Sequence, residues 1–233
     1  MPRRERDNFG EEWDDDYTRR AFITKVLSIV GLQLAFTAAV VAVFTLVEPA
    51  QNFLIKYFWL VFVCMGVMFI TMIALVCCIK VARSVPCNYI LLIIFTIASA
   101  IVTSYTALRF APIQVLTALG ATIVVVIFLG LFAAFAPCDF TGCGLLICVL
   151  VMGLFVMCIV GIFVRTRTMM WIIAVAGVII FSLVLIFDLQ LMIGGKHKNQ
   201  YSEEDYVIAA LSIYVDIIML FQYILEIIGL IDG

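Results

Sequence analysis

The chain has 233 residues, of which 66% are hydrophobic and only 13% charged, with a mean hydropathy of +1.23. A water-soluble domain carries roughly 45–50% apolar and about 25% charged residues, so lipid must be the solvent for most of this chain. A formal charge of -2 leaves no nucleic-acid footprint, and no stretch outside the apolar runs is large enough for an appended soluble enzyme.

The first residues, 1–20, read as a charged cytosolic tail ahead of a seven-helix transmembrane domain over residues 21–233. The tail mixes Arg3, Arg4, Arg6, Arg19 and Arg20 with an acidic run, Glu11, Glu12, Asp14, Asp15 and Asp16. The apolar run that follows is far longer than the roughly 7–15 residues of a signal-peptide core, so it is expected to stay in the membrane as an anchor. Six charge-free runs cover residues 26–47, 57–79, 84–108, 110–138, 140–164 and 168–187. Each is long enough for the roughly 20 apolar residues of a spanning helix. A seventh, 206–230, qualifies only if Asp216 and Glu226 are accepted inside it.

Connections are short: 80–88 with Pro86, 109–112, 136–142 with Pro137, and 165–168. The one polar connection is 194–205. Its Gly194-Gly195 stops the sixth helix, because glycine accepts the left-handed geometry found just past a helix C-terminus. Ser202, with Asp205 three residues on, reads as an N-cap opening the seventh helix, and Glu203 and Glu204 suit the dipole of its first turn.

A cytosolic N-terminus places Arg19, Arg20, Lys80, Arg83, Lys196 and Lys198 in the cytosol and Lys56, Arg109, Arg165 and Arg167 on the other side, as the positive-inside rule favours. The eight cysteines include no CxxC pair and only His197 is available to join them, so no zinc site is expected. Cysteines inside spans act as small apolar residues, and Cys138 and Cys143 flank a connection on the reducing side. Thr96, Ser99, Thr103 and Thr106 line one face of the third span, and such small polar faces pack against other helices. Tyr206, Tyr214 and Tyr223 read as interface or core aromatics.

The most informative chemistry is a pair of acidic residues inside spans. A charged side chain at the centre of a transmembrane helix costs about 2.5–3.5 kcal/mol on insertion scales, so it persists only when it faces the bundle interior with a partner or water. Asp188 lies roughly 9 Å inside the cytosolic end of the sixth span and Asp216 roughly 15 Å inside the same end of the seventh. The two spans are antiparallel neighbours. On one, Gly177, Phe181, Val184 and Asp188 line up; on the other, Ser212, Asp216 and Tyr223 share a face. The two carboxyl groups are therefore expected to meet and titrate as a unit. Such a pair can hold a proton, coordinate calcium transiently through oxygen ligands, or bond a basic residue, with Lys80 and Arg83 the nearest basic candidates for a latch. Glu226, near the far end of its helix, is close enough to the interface to reach it.

Several motifs carry a resemblance. They are Phe187-Asp188-Leu189-Gln190, Ile193-Gly194-Gly195, Glu203-Glu204-Asp205-Tyr206-Val207, Ala209-Ala210-Leu211 and Tyr214-Val215-Asp216-Ile217-Ile218 with Phe221. Together they resemble the C-terminal signature of the transmembrane Bax inhibitor motif family, most of all its Lifeguard branch. Phe22-Ile23-Thr24-Lys25-Val26 with Gln33 and Thr37, Pro86-Cys87-Asn88-Tyr89, and Asp139-Phe140-Thr141-Gly142-Cys143-Gly144 look like further landmarks of that family. The resemblance implies an all-α integral membrane protein of seven transmembrane helices with the C-terminal helix central. It also implies a pH-sensitive calcium leak from intracellular stores, in the endoplasmic reticulum or Golgi, that protects against apoptosis. In that reading Asp188 and Asp216 match the di-aspartyl pH-sensor positions, calcium and protons are what the protein handles, and no cofactor is required. Anti-apoptotic or death-receptor proteins and other channels are the implied protein partners. The region before the first span is short and lacks the Pro/Gly/Tyr-rich extension of several Lifeguard members.

Two other functions stay open at this point. One is a non-conducting membrane regulator that binds death-pathway proteins or channels. The other is an intramembrane aspartyl protease, although Ile213-Tyr214-Val215 stand before Asp216 where those enzymes carry the glycines of GxGD.

Overall fold

A computed structural model describes residues 3–135, 139–194 and 199–232. Cys138, Gly195, Lys196, His197 and Lys198 lie outside the described residues, as do the side chains of residues 3–16 with Arg3, Arg4, Arg6 and the acidic run. All secondary structure among the described residues is helical. Seven helices are long and apolar enough to cross a membrane. They are α1 (Arg3–Leu46), α2 (Trp59–Cys77), α3 (Cys87–Ala107), α4 (Pro112–Phe135), α5 (Gly144–Phe163), α6 (Arg167–Ile193) and α7 (Tyr206–Asp232). Nothing in a bilayer interior can hydrogen-bond an open backbone, so helices that satisfy their own amides are the form such apolar runs must take.

The boundaries differ from the sequence reading in two places. Residues 3–20 are helical and continuous with the first span, because nothing between Arg3 and Leu46 breaks the helix. A short helix, Glu48–Lys56, fills the connection to α2, with its proline in the first turn where a missing amide costs nothing. At two other termini side-chain hydroxyls supply the caps, and only that of Ser202 is signalled by the sequence. Thr166 Oγ1 accepts the Met169 amide at 3.3 Å to start α6. Ser202 caps the single 3-10 turn that leads into α7, its hydroxyl accepting the Glu204 amide at 3.4 Å.

The seventh helix is the centre of the bundle. In its most apolar stretch 61% of residues are buried, against 11–50% in the other six spans. It packs on α6 most extensively, then on α4, α1 and α3, whereas α2 leans on α3 and α5 chiefly on α6. Close approach is possible because Ala209 and Ala210 on α7 and Ala100 and Ala107 on α3 are fully buried and small. Polar side chains join the helices inside the membrane. Gln33 Nε2 donates to Thr96 Oγ1 at 2.7 Å, Thr37 Oγ1 and Tyr214 Oη lie 2.8 Å apart, and Gln222 Nε2 donates to Thr103 Oγ1 at 3.4 Å. The Thr/Ser face of α3 therefore serves helix packing. The opposite surfaces of α2, α4 and α5 present Phe62, Phe69, Phe128 and Phe155, all exposed in the isolated chain and suited to lipid.

Two ends of the bundle can be distinguished. The near end carries the start of α7 and the close of α6; the far end carries Arg109, Arg167 and the close of α7. Far-end contacts include Arg167 Nη2 donating to Leu230 O at 2.6 Å and Gln114 Nε2 donating to Asp232 Oδ2 at 2.9 Å. At the near end α6 stops at Gly194, whose φ of 62° is the one positive value among the described residues. A Cβ there would also meet the Arg19 guanidinium. Gly194→Ala is expected to lower stability by about 1–3 kcal/mol, the usual penalty for a side chain in glycine-only backbone, read as a fall in the thermal midpoint of the detergent-solubilised protein.

Candidate functional site

Asp188 sits on the last turns of α6 and Asp216 in the middle of α7, and the helices present them to each other. They are only 8% and 4% exposed. A side-chain hydrogen bond joins the two carboxyl groups, and a second joins Asp188 to the Tyr201 hydroxyl. Two carboxyl groups can hydrogen-bond each other only when one of them carries a proton. Asp216 Oδ2 is fully buried with no partner. An orphaned acceptor in the bundle interior costs free energy and marks a place where a proton, a water or a cation would be stabilised.

Tyr201 was not singled out by sequence, because a tyrosine in a polar connection carries no periodic signal. The structure makes it the roof of the site. Its hydroxyl also hydrogen-bonds Ser212, one turn before Asp216 on α7. Burial and the adjacent carboxyl groups push the phenol well above the ordinary tyrosine range, so it remains a donor. Its backbone is fixed from both sides. The Tyr201 amide donates to Leu191 O at 3.0 Å, and its carbonyl accepts from Arg19 Nη1 at 2.8 Å.

Arg19 is the second residue whose role no sequence pattern announced. Beyond Tyr201, its guanidinium donates to Leu191 O at 2.9 Å and Ile193 O at 3.1 Å. These are carbonyls that the end of α6 leaves without intrahelical partners, so one cation from α1 satisfies the helix terminus and complements its dipole. A neighbouring loop completes the cover. Phe140 N donates to Gln190 Oε1 at 2.8 Å, Asp139 Oδ1 accepts from Thr141 N and Oγ1, and Asn199 Nδ2 donates to Thr141 O at 2.9 Å. The Asp139–Gly144 motif is thus a loop folded onto the residue pair just past Asp188.

The basic candidates lie elsewhere. Arg83 Nε and Nη2 donate to the two Asp205 oxygens at 2.9 and 3.1 Å, and Nη1 to Glu204 Oε2 at 2.8 Å. These two carboxylates raise the guanidinium further above its ordinary value. Lys80 is exposed. The structure brings neither to the aspartates. It gathers instead a cluster at the start of α7, with Lys25 Nζ 3.2 Å above the Tyr206 ring and Asn88 Nδ2 donating to Tyr206 Oη at 3.2 Å. Glu226 pairs with Arg109 at 3.6 Å at the far end.

Two carboxyl groups with the hydroxyls of Tyr201 and Ser212 form an all-oxygen set, the ligand class of hard cations such as calcium. No group of three or more His, Cys, Asp or Glu side chains assembles among the described residues. Oxygen donors of this kind are chemically competent to hold a proton or a hard cation.

The sequence matches the family Bax1-I, described as inhibitor of apoptosis-promoting Bax1, over residues 19–233. Human protein lifeguard 3 is 38% identical over 228 residues, covering 96% of this chain and 73% of that protein. Mouse protein lifeguard 3 is 37% identical over 222 residues, covering 94% and 72%. Mouse protein lifeguard 4 is 29% identical over 216 residues, covering 90% and 85%.

Tyr201→Phe keeps the ring but removes one of the two hydrogen bonds of Asp188 and the bond to Ser212, and is expected to cost about 1–3 kcal/mol of stability, the range for a buried polar group that loses a partner. Arg83→Gln, which breaks only solvent-exposed pairs, is expected to leave the thermal midpoint almost unchanged. Thermal unfolding of both variants in the same detergent checks the contrast.

Proposed function

Because this chain belongs to the Bax1-I family of inhibitors of apoptosis-promoting Bax1, we propose that it is a pH-sensitive calcium leak of intracellular membranes, which lowers store calcium and so protects the cell from apoptosis. The observation that carries this reading is the buried, hydrogen-bonded pair Asp188–Asp216 on the two most tightly packed helices. A pair of carboxyl groups is an expensive way to join two helices, since asparagine or an apolar pair would hold them at lower cost. What carboxyl groups add is titration. With the shared proton in place the pair is bonded and the seam is closed. With it removed, two like charges stand in contact, which pushes the helices apart and creates a site for a divalent cation.

The basic residues of the near end, Arg19, Arg20, Lys25, Lys80 and Arg83, support a cytosolic near end by the positive-inside rule. The Tyr201 loop then covers the pair on the cytosolic side, and the far end faces the store. The endoplasmic reticulum and Golgi are the compartments whose calcium gradient such a leak would draw on.

Purified protein in calcium-loaded proteoliposomes provides the test. Wild type is expected to release calcium at a rate that changes with pH. Asp188→Asn and Asp216→Asn, each left with one carboxyl group, are expected to lose most of that pH dependence. Flux and pH dependence unchanged in both variants would eliminate the pair as sensor. Protein that passes no calcium at any pH yet still protects cells would instead be a non-conducting regulator.

A further inference from the structure

The seam that carries the aspartates continues toward the far end, where a single stacked pair of rings closes it. Phe181 lies two helical turns before Asp188 on α6, and Tyr223 two turns after Asp216 on α7. Their ring centroids are 5.7 Å apart and their planes 29° from parallel. Gly177, one turn further along α6, lets the Tyr223 ring lie directly on the helix backbone. A Cβ at that position would stand 2.5 Å from Tyr223 Cγ and Cδ1. On its other side the Tyr223 hydroxyl reaches Cys158 Sγ of α5 at 3.8 Å.

Beyond these rings a cavity of about 480 Å³ opens at the far end. Tyr223 lines it, with Gln222, Thr106 and Cys158, together with Glu226 and two cations, Arg109 and Arg165. Tens of Å³ suffice for one water, so the space admits several. Its polar groups would keep them there. About 10 Å of helix separates the aspartates from this cavity, and the Phe181–Tyr223 stack lies at the cavity end of that distance.

We propose that this cavity is the store-side mouth of the ion path and that the Tyr223 ring, stacked on Phe181, is the barrier residue a small hydrated cation must pass to reach Asp188 and Asp216. The inference rests on the leak reading and adds to it a mouth and a constriction. An apolar constriction blocks ions by excluding water, so conduction requires the ring to leave the stack. The cavity beside the ring is the space into which it can swing. Glu226 and the Gln222 amide are the oxygen-bearing groups that a cation meets first at the mouth. Arg109, at 3.6 Å from Glu226, occupies that carboxylate while the path is shut.

Three variants and two readouts test this. In calcium-loaded proteoliposomes at the pH where wild type leaks least, Tyr223→Ala is expected to raise the leak by at least about tenfold, equivalent to removing ~1.4 kcal/mol of barrier. Tyr223→Phe, which retains the stacked ring, is expected to stay near wild type. Gly177→Ala keeps both rings and only displaces Tyr223, so it is expected to raise the leak in the same direction even if Tyr223→Ala folds poorly. The second readout is labelling by a membrane-impermeant thiol reagent applied to the far side, with Ser212→Cys placed in protein whose native cysteines are replaced by alanine. The thiol is expected to be protected with Tyr223 present and labelled with Tyr223→Ala. A leak unchanged in Tyr223→Ala and Gly177→Ala, while the aspartate variants still alter the pH profile, overturns the barrier and leaves the sensor standing. If the aspartate variants are also silent, the leak reading falls, and equal labelling of Ser212→Cys with and without Tyr223 then overturns the barrier on its own.

Discussion

A carboxyl group placed in hydrocarbon must find a partner, and the arrangement of this bundle follows from giving Asp216 one. Because Asp216 lies in the middle of α7, that helix cannot sit at the lipid boundary, and it is the most buried of the seven. Its partner has to come from a helix that reaches the same depth from the same end, and α6, joined to α7 by one loop, does so. Ala209 and Ala210, about two turns before Asp216 on α7, are fully buried and small enough to let neighbouring backbones approach that helix closely. Around this core α1 and α3 supply hydroxyl partners for Tyr214, from Thr37 and Ser99, so polarity is concentrated along one helix and satisfied by its neighbours.

The near-end seal extends the same logic to the loop. A helix that ends in a membrane-buried site leaves carbonyls without partners, and α6 resolves this with a residue from α1 rather than with water. Arg19 binds the end of α6 and the carbonyl of Tyr201 together, so the roof of the site and the helix terminus are held by one cation. The Asp139–Cys143 turn and Asn199 close the adjacent gap. Solvent at the near end is thereby separated from the aspartates by groups that all have hydrogen-bond partners of their own.

Much of this was legible from the residues. Charge-free runs located the spans, since length and apolarity suffice for that, and the glycine pair marked the end of α6. Spacing along two helices put Gly177, Phe181 and Asp188 on one face and Ser212, Asp216 and Tyr223 on another, and those faces meet. Tyr201, Arg19 and the pairing of Arg83 with Glu204 and Asp205 were not legible. Each depends on where a loop or a long side chain travels across more than a hundred residues of sequence, and periodicity says nothing about that. The expectation that Lys80 and Arg83 stand near the aspartates followed from shared depth. The structure shows that depth is insufficient, because acidic residues at the opening of α7 are closer to Arg83.

The contacts of Arg19 also impose an order on assembly. Its partners lie 172 to 182 residues further along the chain, so they are synthesised and inserted long after it. The central helix, around which the others are arranged, is likewise the last to enter the bilayer. Until it arrives, the earlier spans hold Thr37 and Ser99 without the tyrosine that bonds them both. The protein is thus completed from its edge inward, and a ribosome that stalls before α7 leaves a set of spans with no centre to close upon.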